Sequence, residues 1–386
     1  MMWYRIFNNN MTFNRKSILG LFTLLLGMAG IQACIEPFSP PEVNSDQGYL
    51  VMDGFLNLSN SPSQIILRHS QNVNSPNQPS FETGAQIVVS SEQGENYVFT
   101  EPSFGVYQLP ATNFNLNDRY RLDIYTLAGK HYQSEYVKAV NTPPIDSVGS
   151  YYDQRRDAMV FSVNTHDDTG STRFYRWKFE ETYEYNAALY STIMMQDNQI
   201  VTRPDNIYTC WRSRSSTNII LGSTIKIVKD EIRDLPINVV EVSSQKLLIK
   251  YSLLVRQYGL TREAFEYWTE LSKTTQGTGS LFDPQPSQVT GNIRNVDDPK
   301  ELVFGYFAAA TEITKRIFVT PRLGNYSYCV PDTLPLACGN PDITCARDYT
   351  GLLVSYLDDV SVLGASQSCT DCRTQGGTNV RPSFWQ

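Results

Sequence analysis

Phe174-Tyr175-Arg176-Trp177-Lys178-Phe179-Glu180-Glu181-Thr182-Tyr183-Glu184-Tyr185 is the stretch on which the fold class turns. Tyr175, Trp177 and Phe179 alternate with Arg176, Lys178 and Glu180. Side chains two apart on an extended chain share a face, so this pattern predicts a strand with one buried and one wet side. A row of rings could also form a sugar-binding strip; core packing is the reading adopted. Composition extends the inference to the whole chain. The 386 residues include 23 Tyr, 18 Phe and 5 Trp, the residue types that fit a pleated, half-buried surface.

Upstream, short apolar runs recur at 49–56, 64–68, 86–90, 97–100, 106–109, 120–126 and 131–137. Turn signals stand at Glu92-Gln93-Gly94-Glu95, Asn117-Asp118 and Ala128-Gly129. Seven strands at this spacing predict a small sandwich over 48–142, of immunoglobulin-like or carboxypeptidase-regulatory-like type. It should end at Thr142-Pro143-Pro144, where two prolines interrupt pairing and mark a linker. A larger β domain is expected over 145–386, with further strands at 158–165, 224–228, 238–242, 247–257, 302–311, 315–320 and 351–356 and a turn at Glu312-Ile313-Thr314.

One amphipathic helix is predicted at 261–275. Thr261 is its N-cap, and Glu263 in the first turn complements the helix dipole. Phe265, Trp268 and Leu271 fall on one face, with Ala264 and Tyr267 beside them, and are expected to cover the end of a sandwich.

The amino-terminal segment reads as a lipoprotein leader. Arg15 and Lys16 precede an apolar run at 18–26, too short to span a bilayer, and Ile31-Gln32-Ala33-Cys34 has a small residue before a cysteine. Residues 1–33 are then the signal peptide, with Met1 and Met11 as alternative starts. Cys34 is the lipidated first residue of the mature chain, and several acyl chains hold a protein on a membrane where one alone would not. Residues 34–47, with Pro37, Pro40 and Pro41, form a tether. Residues 1–33 hold three basic side chains and no acid, so the mature chain carries 29 basic against 39 acidic groups, a net charge of −10. That balance argues against nucleic acid as a partner.

The remaining cysteines, Cys210, Cys329, Cys338, Cys345, Cys369 and Cys372, are an even set expected to form disulfides, with the pairing open. The spacing of Cys338 and Cys345 in a Pro/Gly/Asp-rich loop favours local staples. Cys369-Thr370-Asp371-Cys372 is half of a zinc site without a second half, so no metal or cofactor is expected.

Sites of chemistry are sparse. His69, His131 and His166 lie in separate segments. His166-Asp167-Asp168-Thr169-Gly170, Asp297-Asp298 and Asp358-Asp359 lack the full alternation of a calcium loop and read as solvated turns. Glu180 and Glu184 share a strand face and are the carboxylates of an alternative, carbohydrate-active reading; Glu181 points the other way. No Gly-x-Ser-x-Gly elbow or phosphate-binding glycine loop is present, so no catalytic residue is assigned.

Several stretches together resemble a known family. They are Cys34-Ile35-Glu36-Pro37-Phe38, Tyr251-Ser252-Leu253-Leu254-Val255-Arg256-Gln257-Tyr258, Glu263-Ala264-Phe265-Glu266-Tyr267-Trp268, Leu281-Phe282-Asp283-Pro284-Gln285-Pro286-Ser287-Gln288, Gly291-Asn292-Ile293, Gly305-Tyr306-Phe307, and a terminal region with Cys369-Thr370-Asp371-Cys372, Gly376-Gly377-Thr378-Asn379 and Pro382-Ser383-Phe384-Trp385. The chain is similar to the Bacteroidota lipoprotein family of unknown function 4249. The resemblance implies an outer-membrane lipoprotein, often encoded beside a TonB-dependent receptor, and assigns no catalytic residue. Surface-exported lipoproteins of that phylum resemble one another in several acids closely following the lipidated cysteine. Here only Glu36 is near, so the periplasmic and outer faces both stay open.

The combined expectation is a non-enzymatic, lipid-anchored binding or accessory protein of an outer-membrane receptor or assembly. The alternatives are a carbohydrate-active or carbohydrate-binding protein and a structural envelope protein or adhesin. In cells fed radiolabelled palmitate, the protein should carry label and Cys34→Ala should carry none; undiminished label in the variant would remove the anchor.

Overall fold

The predicted strand around Trp177 runs as Phe174–Asn186 through the middle of a five-stranded sheet. The computed structural model describes residues 48–71, 78–276, 289–325, 328–339 and 342–386. Cys34, the leader, the tether and the stretch at 281–288 lie outside them.

Lys250–Leu260 pairs antiparallel along one side of the central strand, and Glu312–Val319 lies beyond it. Thr209–Ser215 and Ile220–Ser223 share the other side. A second sheet, Ile145–Asp153, Ala158–His166 and Glu231–Glu241, faces this one. Between them Tyr175, Trp177, Tyr251, Leu253, Phe161 and Val163 retain no exposed surface. The alternating rings are therefore core, as the pattern predicts, and each such side chain contributes roughly 1.5–3 kcal/mol of burial.

The N-terminal sandwich is built as expected, with one layer of Leu50–Asn57, Ser63–His69, Val106–Leu109 and Thr100–Ser103. The other layer holds Asn96–Val98, Gln86–Ser91, Arg119–Tyr125 and His131–Ser134. Ile65, Leu67, Ile87, Tyr107, Tyr120 and Leu122 fill the space between. Val137–Val140 bonds to both Arg119–Tyr125 and Ala309–Ala310, and Ala309–Ala310 runs parallel to Leu50–Asn57, so the layers are joined into one strongly curved sheet.

That junction corrects the domain boundary. Ile293–Asn295, Val303–Phe304 and Ala309–Ala310 were expected within 145–386 but complete the N-terminal sheet, pairing with His131–Ser134 and Leu50–Asn57. Parallel neighbours need a long crossover, and here the second sandwich supplies it. Two- and three-residue strands are too short to display a period of two. The expected linker is corrected with it: Thr142 and Pro143 are buried. The Thr142 amide donates to Thr311 Oγ1 at 2.8 Å, and the Gly259 amide donates to Thr142 Oγ1 at 2.9 Å. Outgoing and returning chains are thus pinned to each other.

Two local expectations also change. The strand lies earlier, at Ile220–Ser223; Thr224 is buried, and residues 225–229 form an exposed turn. Glu312-Ile313-Thr314 is the start of a strand rather than a turn, because the Glu312 carboxylate is held by Arg256 at 2.8 Å and the Tyr258 hydroxyl at 2.6 Å.

The helix Arg262–Thr275 begins as predicted, with the Thr261 hydroxyl accepting from the Ala264 amide. Phe265 packs on Phe174 at 4.9 Å and Tyr267 on Tyr306 at 5.1 Å between ring centroids. The helix therefore rests on the outer face of the five-stranded sheet and reaches the returning segment of the first sandwich.

A small sheet of Asp332–Pro335, Ser361–Ala365 and Leu352–Tyr356 follows, packed against the hairpin Ile193–Gln196 and Gln199–Thr202. All six expected cysteines are paired, as Cys210–Cys372, Cys329–Cys369 and Cys338–Cys345. Cys369 and Cys372 join different partners, so Cys-x-x-Cys is neither a redox pair nor half a zinc site. Loop-closure entropy separates the bridges: a separation of 162 residues gives about 5 kcal/mol and one of 7 about 2 kcal/mol. Replacing Cys210 and Cys372 together with Ala should lower the urea midpoint much further than replacing Cys338 and Cys345; equal losses would contradict the ranking.

Candidate functional site

Directly opposed residues in an antiparallel pair share a face. On the outer side of the five-stranded sheet, Arg176 stands opposite Tyr258 and Lys178 opposite Arg256. Glu312 stands opposite Tyr258 on the next strand. Three cations are thereby gathered on neighbouring positions, and the helix covers one flank. The Arg176 guanidinium carbon sits 3.4 Å from the Trp268 ring centroid, a close cation–π contact. On the other flank the first sandwich contributes Phe55, edge-on to Tyr258 at 5.0 Å, and the exposed Asp53 carboxylate.

The charges are unevenly matched. Glu312 is spoken for by Arg256 and Tyr258. Among the described residues, half-buried Arg176 and Lys178 make no hydrogen bond or ion pair, and Arg176 Nε is buried with no partner. Burial draws the Arg176 guanidinium down to about 10, and Tyr258, Asp53 and Tyr267 oppose this. Burial also lowers Lys178, reinforced by repulsion from Arg176 and Arg256 and opposed by Asp53 and Glu312. Burial pushes the Tyr258 hydroxyl up, and Glu312 adds to it. At neutral pH Arg176 remains a cation, and the Trp268 ring and the charge of Asp53 offset part of its cost of desolvation.

The carboxylates of the glycosidase alternative do not converge. Glu180 faces Arg316 at 3.6 Å, whereas Glu184 accepts from the Trp385 indole N–H at 3.0 Å. Four residues along a strand separate their backbones by about 13 Å, beyond the roughly 5–9.5 Å between the carboxyl groups of glycosidase pairs. Glu181 lies on the core face, bound by Lys246 and by the Tyr251 hydroxyl at 2.8 Å.

The histidines are kept apart. His69 pairs with Glu82 at 2.6 Å, His131 with Asp123 at 2.9 Å and His166 with Asp146 at 2.7 Å. Asp167 is lowered in spite of burial, because the Thr169 and Ser171 hydroxyls and the Thr169 and Thr172 amides donate to it. Asp358 similarly accepts from the Val360 amide and Ser361 hydroxyl, and Asn295 rather than either aspartate organises the turn at Asp297-Asp298. These are the solvated turns of the sequence reading. Cys338, Cys345 and Asp348 approach one another, but the two sulfurs are bonded together and offer no thiolate.

Arg176 and Lys178 were legible only as the wet side of a strand. Their neighbours Arg256, Trp268 and Asp53 come from three other segments, and no local spacing announces that meeting.

Residues 35–316 match the family described as a domain of unknown function, DUF4249. The match covers more than half of the chain, and the protein belongs to that family. No curated protein matches. Among solved structures, the chain is similar to a DUF4785 family protein from Legionella pneumophila, with 7% identity over 54% of this chain and 51% of that one and a TM-score of 0.19. It is also similar to an adhesin of Yersinia pseudotuberculosis, with 14% identity over 54% of each chain and a TM-score of 0.16. A pullulanase from Anoxybacillus, solved with maltotriose, shares 12% identity over 55% of this chain and 24% of its own, with a TM-score of 0.16. The chain thus spans about half the length of the Legionella protein, and at these scores none of the three bears on function.

The Asp146 hydrogen bond and charge raise the exposed His166 imidazole above its ordinary 6.5, against a small opposing effect of desolvation. The stabilisation is complete below pH 6.5 and is lost as pH rises through the raised folded value. Proton NMR should find His166 titrating above 6.5, with Asp146→Asn returning it toward that value; an unchanged titration in the variant would assign the shift elsewhere.

Proposed function

We propose that the protein is a lipid-anchored lipoprotein of the outer membrane acting as a non-enzymatic binding or accessory subunit of a membrane assembly, with a TonB-dependent receptor as the expected partner. The observation that carries this reading is Cys34 at the end of Ile31-Gln32-Ala33-Cys34, behind a basic and an apolar segment. The family resemblance adds the outer membrane and the receptor. Three disulfides fit an oxidising, exported setting.

The described geometry favours binding over chemistry. Glu180, Glu181, Glu184 and the three histidines are each engaged with separate partners, while the unpaired Arg176 and Lys178 stand at the seam between two locked sandwiches. A rigid body of this kind presents a preformed surface and loses little conformational freedom on docking.

Mild detergent extraction of outer membranes followed by affinity purification should recover the protein with a stoichiometric membrane partner. Recovery of the protein alone, at native abundance and without crosslinker, would refute the accessory role.

A further inference from the structure

We propose that the seam beside the helix is a binding site for an oxyanion, a carboxylate- or phosphate-bearing ligand held by Arg176 and Lys178 with Trp268 as one wall. This inference deepens the binding role proposed above by naming the ligand chemistry.

Arg176 and Lys178 are two apart on one face of the central strand, which sets their backbones about 6.6 Å apart. That spacing lets two long cationic side chains converge on one group of oxygens. Arg176 is held by its stack on Trp268, so its guanidinium fork is oriented before any ligand arrives. Its Nε is buried without an acceptor, and an unmet buried donor is costly enough that native structures rarely keep one without a reason. Nε itself is enclosed, so a ligand oxygen would meet the terminal guanidinium nitrogens, which make no hydrogen bond among the described residues, and would thereby lower the cost of keeping the cation there.

Lys178 points to the same conclusion independently. It is half-buried, disfavoured by two neighbouring cations, and has no hydrogen-bond or ion-pair partner among the described residues. A residue placed only for stability would be apolar there or would have a carboxylate in contact. Glu312 cannot serve, since Arg256 and Tyr258 already occupy it, and Asp53 approaches from the opposite sandwich as an exposed counter-charge. Asp53 would thus compete with the ligand, and the surrounding net negative charge of the protein would repel anions everywhere except at such a cationic seam.

The test is calorimetric titration of the full-length, detergent-solubilised lipoprotein with inorganic phosphate and separately with citrate, at matched ionic strength. Saturable binding of at least one anion is expected. Lys178→Met should weaken it at least tenfold while leaving the melting temperature unchanged or higher, since an unpaired charge is removed. Asp53→Asn should tighten it, a gain that a merely structural role would not produce. Arg214→Gln removes one exposed charge at another place and should leave it unchanged. Binding of phosphate alone would mark a phosphoryl ligand and of citrate alone a carboxylate. Absence of saturable binding by both anions, or equal losses in Lys178→Met and Arg214→Gln, would overturn the site. Failure here with partner co-purification intact would reject the oxyanion site alone; loss of co-purification with anion binding intact would reject the accessory role alone.

Discussion

Gln257 has no exposed surface, and its side-chain amide is the point from which the second sandwich is organised. The amide oxygen accepts from the Trp177 indole at 2.8 Å, and the nitrogen donates to the Pro143 carbonyl at 2.8 Å and to Thr165 Oγ1 at 2.9 Å. An amide buried without partners costs roughly 1–3 kcal/mol, so meeting its needs dictates where those groups lie. Those groups belong to the central strand, the facing sheet and the inter-sandwich crossing. Once they are fixed, the spacing of the two sheets and the exit of the chain from the first sandwich follow. Gly259, two residues on, completes the arrangement: a Cβ there would meet Val140 Cγ1 at 2.7 Å, so only glycine lets the first sandwich approach so closely.

The double crossing makes the two sandwiches one mechanical object. Thr142 on the outgoing chain and Thr311 on the returning chain bond to each other, and the strands at 293–310 complete a sheet begun at Leu50. The helix spans the same joint, touching Phe174 on one sandwich and Tyr306 near the other. The cationic seam is a by-product of this closure. Arg176 and Lys178 would be ordinary solvated side chains on an isolated sheet; the helix and the strand bearing Asp53 are what take them partly out of water.

The distribution of charge pairs separates structure from binding. Several other buried or half-buried charges among the described residues are matched: Glu181 with Lys246, Glu312 with Arg256, and Asp123 with Arg121 and His131. Matching of this kind limits the desolvation penalty without adding much stability. Arg176 and Lys178 break that pattern side by side, and a place where a protein carries an uncompensated cost is where a ligand has something to offset.

Much of the architecture was readable in the chain. The alternation at Tyr175, Trp177 and Phe179, the apolar runs of the first sandwich, the Thr261 cap and the even set of six cysteines all depend on neighbours within a few residues, where periodicity and local hydrogen bonding dominate. The proposed leader ending at Cys34 likewise rests on a linear signal. What the sequence could not reveal depends on partners distant along the chain: the strands at 293–310, too short to show a period; the disulfide pairing, which needs positions in space; the buried Thr142-Pro143 crossing, which in isolation looks like a linker; and the meeting of Arg176 and Lys178 with Arg256, Trp268 and Asp53. Sequence by itself determined a β-rich, disulfide-bearing chain, because those properties are summed from local preferences. Tertiary structure alone decided that two sandwiches share one sheet and that unpaired cations line their seam, because strand register and chain crossings are set by long-range contacts.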